Sequence, residues 1–132
     1  MRKGWPSWSL DVLDGWRSTD NDECLTLEHS EEGAFQLSSA TKKVGLVTAK
    51  EIDDFATRQS DGWGASSQVQ CGEFAGLVFR YVEGDHHWIR WFLYTGSTLL
   101  FATYNGSARA LRVETPMVER MLQTLRVEPR GA

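Results

Sequence analysis

Residues 73–104 constrain the fold of this chain more than any other stretch. They contain three apolar runs, which are separated by Gly84-Asp85 and Gly96-Ser97. Both pairs are typical of two-residue hairpin turns, where glycine adopts a backbone conformation that other residues avoid. The stretch therefore predicts three adjacent antiparallel strands joined by tight turns.

The two turns decide which side chains share a face of the sheet. They place Glu83 opposite His86 and Thr95 opposite Thr98. One face then collects Leu77, Phe79, Tyr81, Trp88, Arg90, Phe92, Tyr94, Leu99, Phe101 and Thr103. The other face collects Phe74, Val78, Arg80, Val82, Ile89, Trp91, Leu93, Leu100, Ala102 and Tyr104. A sheet with one face in water alternates polar and apolar residues, whereas this sheet is apolar on both faces. Each face is therefore expected to be covered by other elements.

Two stretches have the pattern of helices that could provide this cover. Thr48–Glu51 fits a capping box, and apolar residues follow it at helical spacing. Thr115-Pro116 places a cap residue and a proline at the preferred start of a second helix. That helix would carry an apolar stripe of Val118, Met121, Leu122 and Leu125.

The first 40 residues have the alternation of strands. Trp8–Val12 alternates, and a turn after it returns Trp16 over the strand. Residues 24–28 and 34–40 again alternate between apolar and polar side chains, which predicts two more strands. The polar segment Ser18–Glu23 between the strands predicts a loop. These segments add strands to the central three.

The complete pattern predicts one α+β domain spanning residues 1–132. Further strands are expected at Ala65–Gln70 and, as a short edge strand, at Arg109–Val113. The sheet is then antiparallel with about six to seven strands, flanked by helices on both faces as an α/β/α sandwich. Residues 1–7 and 127–132 are expected to be frayed ends.

Cysteine usage and hydropathy bear on the location of the protein. Cys24 and Cys71 have no metal-ligand spacing, which favours two reduced, packed thiols, with a single disulfide as the alternative. The sequence contains no signal-peptide pattern and no apolar stretch long enough to span a membrane. A cytoplasmic protein is expected.

The formal net charge of −4 conceals an uneven distribution. Residues 11–32 contain eight carboxylates against Arg17 alone, whereas residues 80–132 contain seven arginines and five carboxylates. The acidic segment is typical of a solvated surface, but it could also steer a basic partner. On the second interpretation the contact residues are Asp20, Asp22, Glu23, Glu31 and Glu32. Nucleic-acid binding is disfavoured because the arginines are dispersed and the net charge is negative.

Arg90 is the candidate binding residue in the central strand. A buried guanidinium needs a ring, a carboxylate or an opening beside it. In a structural role its stem packs on rings and its head reaches a helix end or an acid. In a binding role Arg90, Trp88, Tyr81 and Tyr94 line a concave aromatic patch that receives a partner. Trp63, which lies between two glycines, is either an exposed anchor or a lid over the core.

Catalytic and metal-binding patterns are weak. His86 and His87 are adjacent on a predicted strand, so they point to opposite faces and cannot chelate one ion. None of the common nucleophile, phosphate-binding or zinc-protease motifs is present in the sequence. We therefore expect no metal, no cofactor and no catalytic residues, although catalytic triads need not be local in sequence.

The order of elements resembles the PsbP-like α/β/α sandwich superfamily, which includes DcrB-like proteins. The resemblance rests on Gly15-Trp16 after the first strand, Asp53–Ala56 in a capped helix, Gly72–Gly76 before the three long strands, Tyr104-Asn105, and Met121–Leu125 in the last helix. It covers nearly the whole chain as a pattern without an invariant motif. It implies a non-enzymatic protein that binds other proteins, and it transfers no site residues.

Two classes of function follow. The first is a protein-binding module of bacterial type, such as a toxin-immunity protein or a chaperone or adaptor for a secreted effector. Its partner would be a protein, for example a basic toxin or effector, and homodimers are a further alternative. The second is a small-molecule-binding protein or modest hydrolase that uses a pocket on the aromatic sheet face.

Overall fold

A computed structural model of the chain describes residues 2–5, 7–21, 24–30 and 32–128, with the backbone alone for residues 2–5. In chain order its elements are β1 (Arg2–Trp5), β2 (Trp8–Asp11), β3 (Arg17–Asp20), β4 (Leu25–Glu28), β5 (Ala34–Thr41), α1 (Ala49–Gln59), β6 (Ser67–Cys71), β7 (Phe74–Glu83), β8 (His86–Thr95), β9 (Thr98–Gly106), α2 (Ala108–Leu122) and β10 (Arg126–Val127). One sheet has seven strands in the order β3-β4-β5-β9-β8-β7-β6, and a second has three in the order β1-β2-β10.

The three long strands form as the sequence predicts. Strand β7 pairs with β8 with Glu83 opposite His86, and β8 pairs with β9 with Thr95 opposite Thr98. The turn glycines Gly84 and Gly96 have φ angles of 61° and 54°, in the left-handed region that tight hairpins require. The α+β class and the antiparallel sheet are therefore confirmed, and the strand count roughly matches.

The two faces of the seven-stranded sheet belong to separate apolar clusters. Ile52 and Ala56 of α1 cluster with Phe79 and Phe92, and we call this side the α1 face. Val118, Met121 and Leu122 of α2 cluster with Val78, Ile89, Trp91, Leu93, Leu100 and Ala102, and we call this side the α2 face. Strand neighbours alternate between faces, so the predicted division of side chains holds along these strands.

The three-stranded sheet adds a second cover to the α2 face. Trp8 and Leu10 of β2 are fully buried in the same cluster as α2, and Trp16 joins them as predicted. The indole Nε1 of Trp8 donates a hydrogen bond of 2.8 Å to Oγ of Ser39 in β5. Residues 2–5, expected to be a frayed end, pair with β2 as β1.

The polar segment at residues 18–23 was predicted to be a loop, but its first part is a strand. Arg17–Asp20 forms β3, which pairs with β4 at the edge of the large sheet. Three of its four residues are exposed, so the strand has no apolar pattern for the sequence to reveal. Pairing with β4 supplies the backbone hydrogen bonds that local propensity does not predict.

The first helix has the predicted start, and the second does not. Thr48 caps α1 in a complete capping box with Glu51. Helix α2, in contrast, begins after Ser107, so both the edge strand at Arg109–Val113 and the start at Thr115-Pro116 were wrong. Buried Glu114 interrupts the apolar stripe of this helix, which hides its first two turns from a hydrophobicity pattern.

Candidate binding site on the α1 face

Four of the predicted binding residues meet on the α1 face, and we call them the Arg90 cluster: Trp63, Tyr81, Trp88 and Arg90. The rings of Trp63 and Tyr81 stack with centroids 5.1 Å apart and planes 6° apart. Tyr81 and Trp88 are also nearly parallel, at 6.3 Å and 6°. Residues directly opposite on adjacent antiparallel strands share a face, which is why β7 and β8 bring Tyr81 beside Trp88.

The guanidinium of Arg90 lies against this aromatic group. Its Cζ atom is 4.6 Å from the ring centroids of both Trp63 and Trp88. Its Nε donates a hydrogen bond of 2.8 Å to the hydroxyl of Tyr81. The cation is thus oriented by the faces of two indoles and by one hydrogen bond.

No carboxylate of the described residues pairs with Arg90, and its Nη groups have no hydrogen-bond partner there. In the structural role predicted for Arg90, its guanidinium would reach an acid or a helix end. In the structure the guanidinium lies against aromatic rings instead. Arg90 is only partly buried, so part of its side chain is open to solvent. The arrangement can accept a carboxylate in a two-point hydrogen bond.

Trp63 reaches the cluster from the loop between α1 and β6. Its ring also contacts Phe79 edge-on at 5.6 Å and stacks on Phe92 at 6.2 Å. Its backbone amide donates to the carbonyl of Ser60 at 3.0 Å, which positions the loop. Trp63 therefore lies over the edge of the α1-face core, with one side of its ring against Arg90.

A polar surface continues from Arg90 across the sheet. The residues opposite it in successive strands are Thr103, Gln36, Thr26 and Thr19. These four side chains are partly or fully exposed, and Gln36 donates to Thr26 Oγ1 at 3.2 Å. Helix α1 covers the apolar side chains of β7, β8 and β9 and leaves this row uncovered.

The other predicted contact residues lie elsewhere. Tyr94 is four residues from Arg90 along β8, about 13 Å away at strand spacing. It lines a cleft of about 450 Å³ between α1 and strands β6 and β7. The small-molecule pocket expected on the aromatic face would correspond to this cleft, and that function stays a prediction.

The two acidic contact residues that the structure describes do not join the Arg90 cluster. Asp20 ends β3 beside Leu25, and Glu32 is exposed in the turn before β5, beyond the opposite end of β4. Asp22, Glu23 and Glu31 lie outside the described residues. The seven-stranded order places three strands between β3 and β8, so Asp20 and Arg90 lie on separate parts of the sheet.

The two adjacent histidines point to opposite faces, as predicted. His86 hydrogen-bonds Asn105 Oδ1 at 3.1 Å and packs near Trp88 on the α1 face. His87 lines a cleft beside α2 on the other face. Over the part of the chain that the structure describes, no three His, Cys, Asp or Glu side chains gather closely enough to hold a metal.

Both cysteines are free thiols, so they do not pair with each other. Cys71 is buried, and burial raises its pKa to about 11. A thiol with that pKa is almost fully protonated at neutral pH and is a poor nucleophile.

Sequence analysis missed a buried polar cluster formed by Glu114, Tyr104 and His29. The hydroxyl of Tyr104 donates to the fully buried Glu114 Oε1 at 2.6 Å, and His29 Nδ1 is 3.7 Å from Oε2. A Cβ atom at Gly33 would lie 2.1 Å from the Tyr104 hydroxyl, so only glycine leaves room for this contact. The sequence signal for this cluster was Glu114, a carboxylate among the apolar positions of the α2 stripe. Glu114 and Tyr104 are fully buried and His29 is partly exposed, which favours a structural role for the Tyr104–Glu114 pair.

Comparison with known proteins identifies the fold. No protein-family model matches the sequence, and no curated protein matches it. Among solved structures, a protein from Bacteroides thetaiotaomicron VPI-5482 is similar with a TM-score of 0.70 and 15% identity, over 95% of this chain and 46% of that one. The chain therefore spans just under half the length of that protein.

Two further structures have the same architecture. LpqN of Mycobacterium tuberculosis, described as involved in cell envelope biogenesis, has a TM-score of 0.64 and 14% identity over 92% of this chain and 83% of its own. The cyanobacterial PsbP (CyanoP) of Synechocystis sp. PCC 6803 has a TM-score of 0.59 and 11% identity over 96% and 91%. This chain has a PsbP-like fold. At such identities the likeness extends to the fold alone.

Neither described helix is long and apolar enough to cross a membrane.

Proposed function

We propose that this protein is a non-enzymatic binding domain whose partner is another protein, and that the Arg90 cluster is the centre of the contact. The observation that carries the proposal is the guanidinium of Arg90, which is oriented by two indoles while its Nη groups lack a partner among the described residues. Such a cation is already placed for recognition, so binding costs little side-chain entropy.

The partner segment presents a carboxylate to Arg90. Arg90 supplies parallel N–H donors, and the rings of Trp63 and Trp88 exclude water from the sides of the ion pair. Aromatic and arginine side chains are also the residues that most often dominate the affinity of protein interfaces.

The polar row supports a protein partner over a small ligand. Thr103, Gln36 and Thr26 continue from Arg90 over three further strands and offer hydroxyl and amide groups to an extended surface. The α1 face then acts as a contact platform, with α1 and α2 as the outer layers of an α/β/α arrangement. A toxin-immunity protein or an effector chaperone of the cytoplasm is the class of protein that this arrangement suits.

Quantitative capture from the native host tests the proposal. Immobilised wild-type protein is compared with Arg90→Met, which keeps most of the side-chain bulk and removes the charge. Arg58→Met is the matched control, because Arg58 also lies over a ring, that of Phe55 at 5.9 Å, outside the cluster. We expect one protein to be captured equally by wild type and Arg58→Met and lost with Arg90→Met.

The captured protein is then purified and titrated against the three variants. Loss of a charge-assisted pair at the centre of an interface predicts affinity at least about tenfold weaker for Arg90→Met. Equal affinity of all three variants would exclude the Arg90 cluster as the contact surface.

A further inference from the structure

A second cleft lies on the α2 face, between the first half of α2 and the ends of β7 and β8. We call it the α2 cleft. Its volume is about 380 Å³, within the usual range of small-molecule sites. Its apolar lining includes Val82, Ile89, Leu111 and Pro116. Val82 is 59% exposed, which leaves an apolar side chain uncovered at the mouth.

The wall of the cleft formed by α2 has polar groups that the helix does not satisfy. Pro116 lies inside the helix and has no N–H, so the carbonyl of Arg112 lacks its usual donor. The hydroxyl of the neighbouring Thr115 is buried without a hydrogen-bond partner among the described residues. The Thr115 oxygen is itself closed to solvent, so this wall presents to the cleft the side chains of Leu111, Arg112 and Pro116.

The mouth of the cleft is cationic. Arg80 and Arg112 line it, against Glu119 as the single lining carboxylate. Arg80 Nη2 is 3.8 Å from Glu119 Oε2, so these two charges largely offset each other. Arg112 has no ion pair with any described residue and is exposed. An anionic head group would therefore bind at Arg112.

We propose that the α2 cleft binds a small amphipathic carboxylate, with its apolar chain against Val82 and Ile89 and its head group at Arg112. The cleft shares Tyr81 and Trp88 with the Arg90 cluster, but Arg112 and the apolar side chains that would hold the ligand lie on the opposite face from Arg90. An amphipathic carboxylate contacts both the apolar lining and Arg112. An uncharged hydrocarbon would contact only the lining, and a short anion would contact only Arg112.

Titration of the full chain with decanoate, followed by amide chemical shifts in NMR spectra, tests the proposal. We expect saturable shifts at β7, β8 and the first half of α2. Decanol, which lacks the charge, and propionate, which lacks the chain, should each bind at least about tenfold more weakly.

Two variants locate the site. Arg112→Gln should weaken decanoate binding by about tenfold, whereas Arg120→Gln, which removes an exposed arginine outside the cleft lining, should leave it unchanged. Val82→Glu introduces a like charge at the mouth and should abolish binding while the spectrum of the folded protein persists.

Three outcomes would overturn the proposal. They are the absence of saturable decanoate shifts, equal affinity in the Arg112 and Arg120 variants, and shifts confined to the α1 face. The absence of saturable decanoate shifts would be expected if the natural occupant of the cleft were an apolar side chain of a protein partner and not a free carboxylate. Capture of a partner through Arg90 is measured separately, so failure of either proposal leaves the other standing.

Discussion

The two faces of the seven-stranded sheet use the same strands for different purposes. On the α2 face, α2 and β2 cover the strands, and Leu93, Leu100 and Tyr104 are fully buried. On the α1 face, α1 covers the apolar side chains of β7, β8 and β9, and a polar row remains exposed toward β3. The α2 face carries the larger buried cluster, whereas the α1 face carries a smaller one and leaves part of its surface exposed.

Strand β9 shows this difference residue by residue. Its nine residues alternate strictly between buried and partly buried from Thr98 to Gly106. Neighbours on a strand point to opposite faces, so two adjacent residues of the same type, such as Leu99 and Leu100, lie one on each face. Paired substitutions in β9 and β8 can therefore test the comparison with little change in anything else.

The largest effect is expected at Leu100. Leu100→Ala opens a cavity in the α2-face core and should lower the free energy of unfolding by about 3 kcal/mol. Leu99→Ala, the adjacent and partly buried leucine on the α1 face, should cost about 1 kcal/mol. Urea unfolding of both variants measures the difference. Equal losses would show that the α1 face is as tightly packed as the α2 face.

The next largest effect is expected at the buried carboxylate. Tyr104→Phe removes the hydroxyl that donates to Glu114 and should cost about 2 kcal/mol, because the carboxylate stays buried with one donor fewer. Tyr94→Phe is the control, since the Tyr94 hydroxyl has no hydrogen bond to the described residues, and it should change stability by less than about 0.5 kcal/mol. Thermal unfolding distinguishes the two, and a stable Tyr104→Phe protein would contradict the structural role of the Tyr104–Glu114 pair.

A smaller effect is expected at Arg90. No buried carboxylate is stranded when its charge is removed, so Arg90→Met should lose only the contacts with rings and the hydrogen bond to Tyr81, about 1 kcal/mol. Arg58→Met, with a single ring contact at the surface, should lose less than about 0.5 kcal/mol. Denaturant unfolding measures both. A loss of several kcal/mol at Arg90 would identify it as part of the core, and the division between faces would not hold there.

The smallest stability effect is expected for the acidic segment. Charge reversal of Asp20, Asp22, Glu23, Glu31 and Glu32 to lysine should change unfolding by less than about 0.5 kcal/mol, since surface charges contribute little. Association with a basic partner should slow, and its dependence on salt should weaken. Stopped-flow association at low and high salt, with circular dichroism as the folding control, is the measurement. Unchanged rates would leave these residues a role in solubility alone.

Sequence patterns predicted the central part of the fold and four members of the candidate site. Tyr81, Trp88 and Arg90 were assigned to one face because the hairpin glycines define the register. Trp63 was singled out because it lies between two glycines, although its position over Arg90 was not predicted. Tyr94 lies on the predicted face but about 13 Å from Arg90 at strand spacing, because a face assignment does not give distance from the site.

The strand at Arg17–Asp20 and the first half of α2 show the limit of local patterns. An exposed edge strand has no apolar alternation, so only its pairing with β4 reveals it. Helix α2 contains a proline and a buried glutamate, both of which argue against a helix core when judged alone. Tyr104 hydrogen-bonds that glutamate from a strand ten residues earlier, which makes its burial tolerable.

The sequence by itself determined the register of β7, β8 and β9, the capping box of α1, and the apolar positions Val118, Met121 and Leu122 of α2. Each of these follows from residues within a few positions of one another: glycines at a turn, a threonine and glutamate three residues apart, and helical spacing. Tertiary structure alone decided the contacts of Arg90 with Trp63, the burial of Glu114 beside Tyr104, and the three-stranded sheet over the α2 face. These contacts join residues that are distant in sequence, and their free energy depends on packing that no local pattern records.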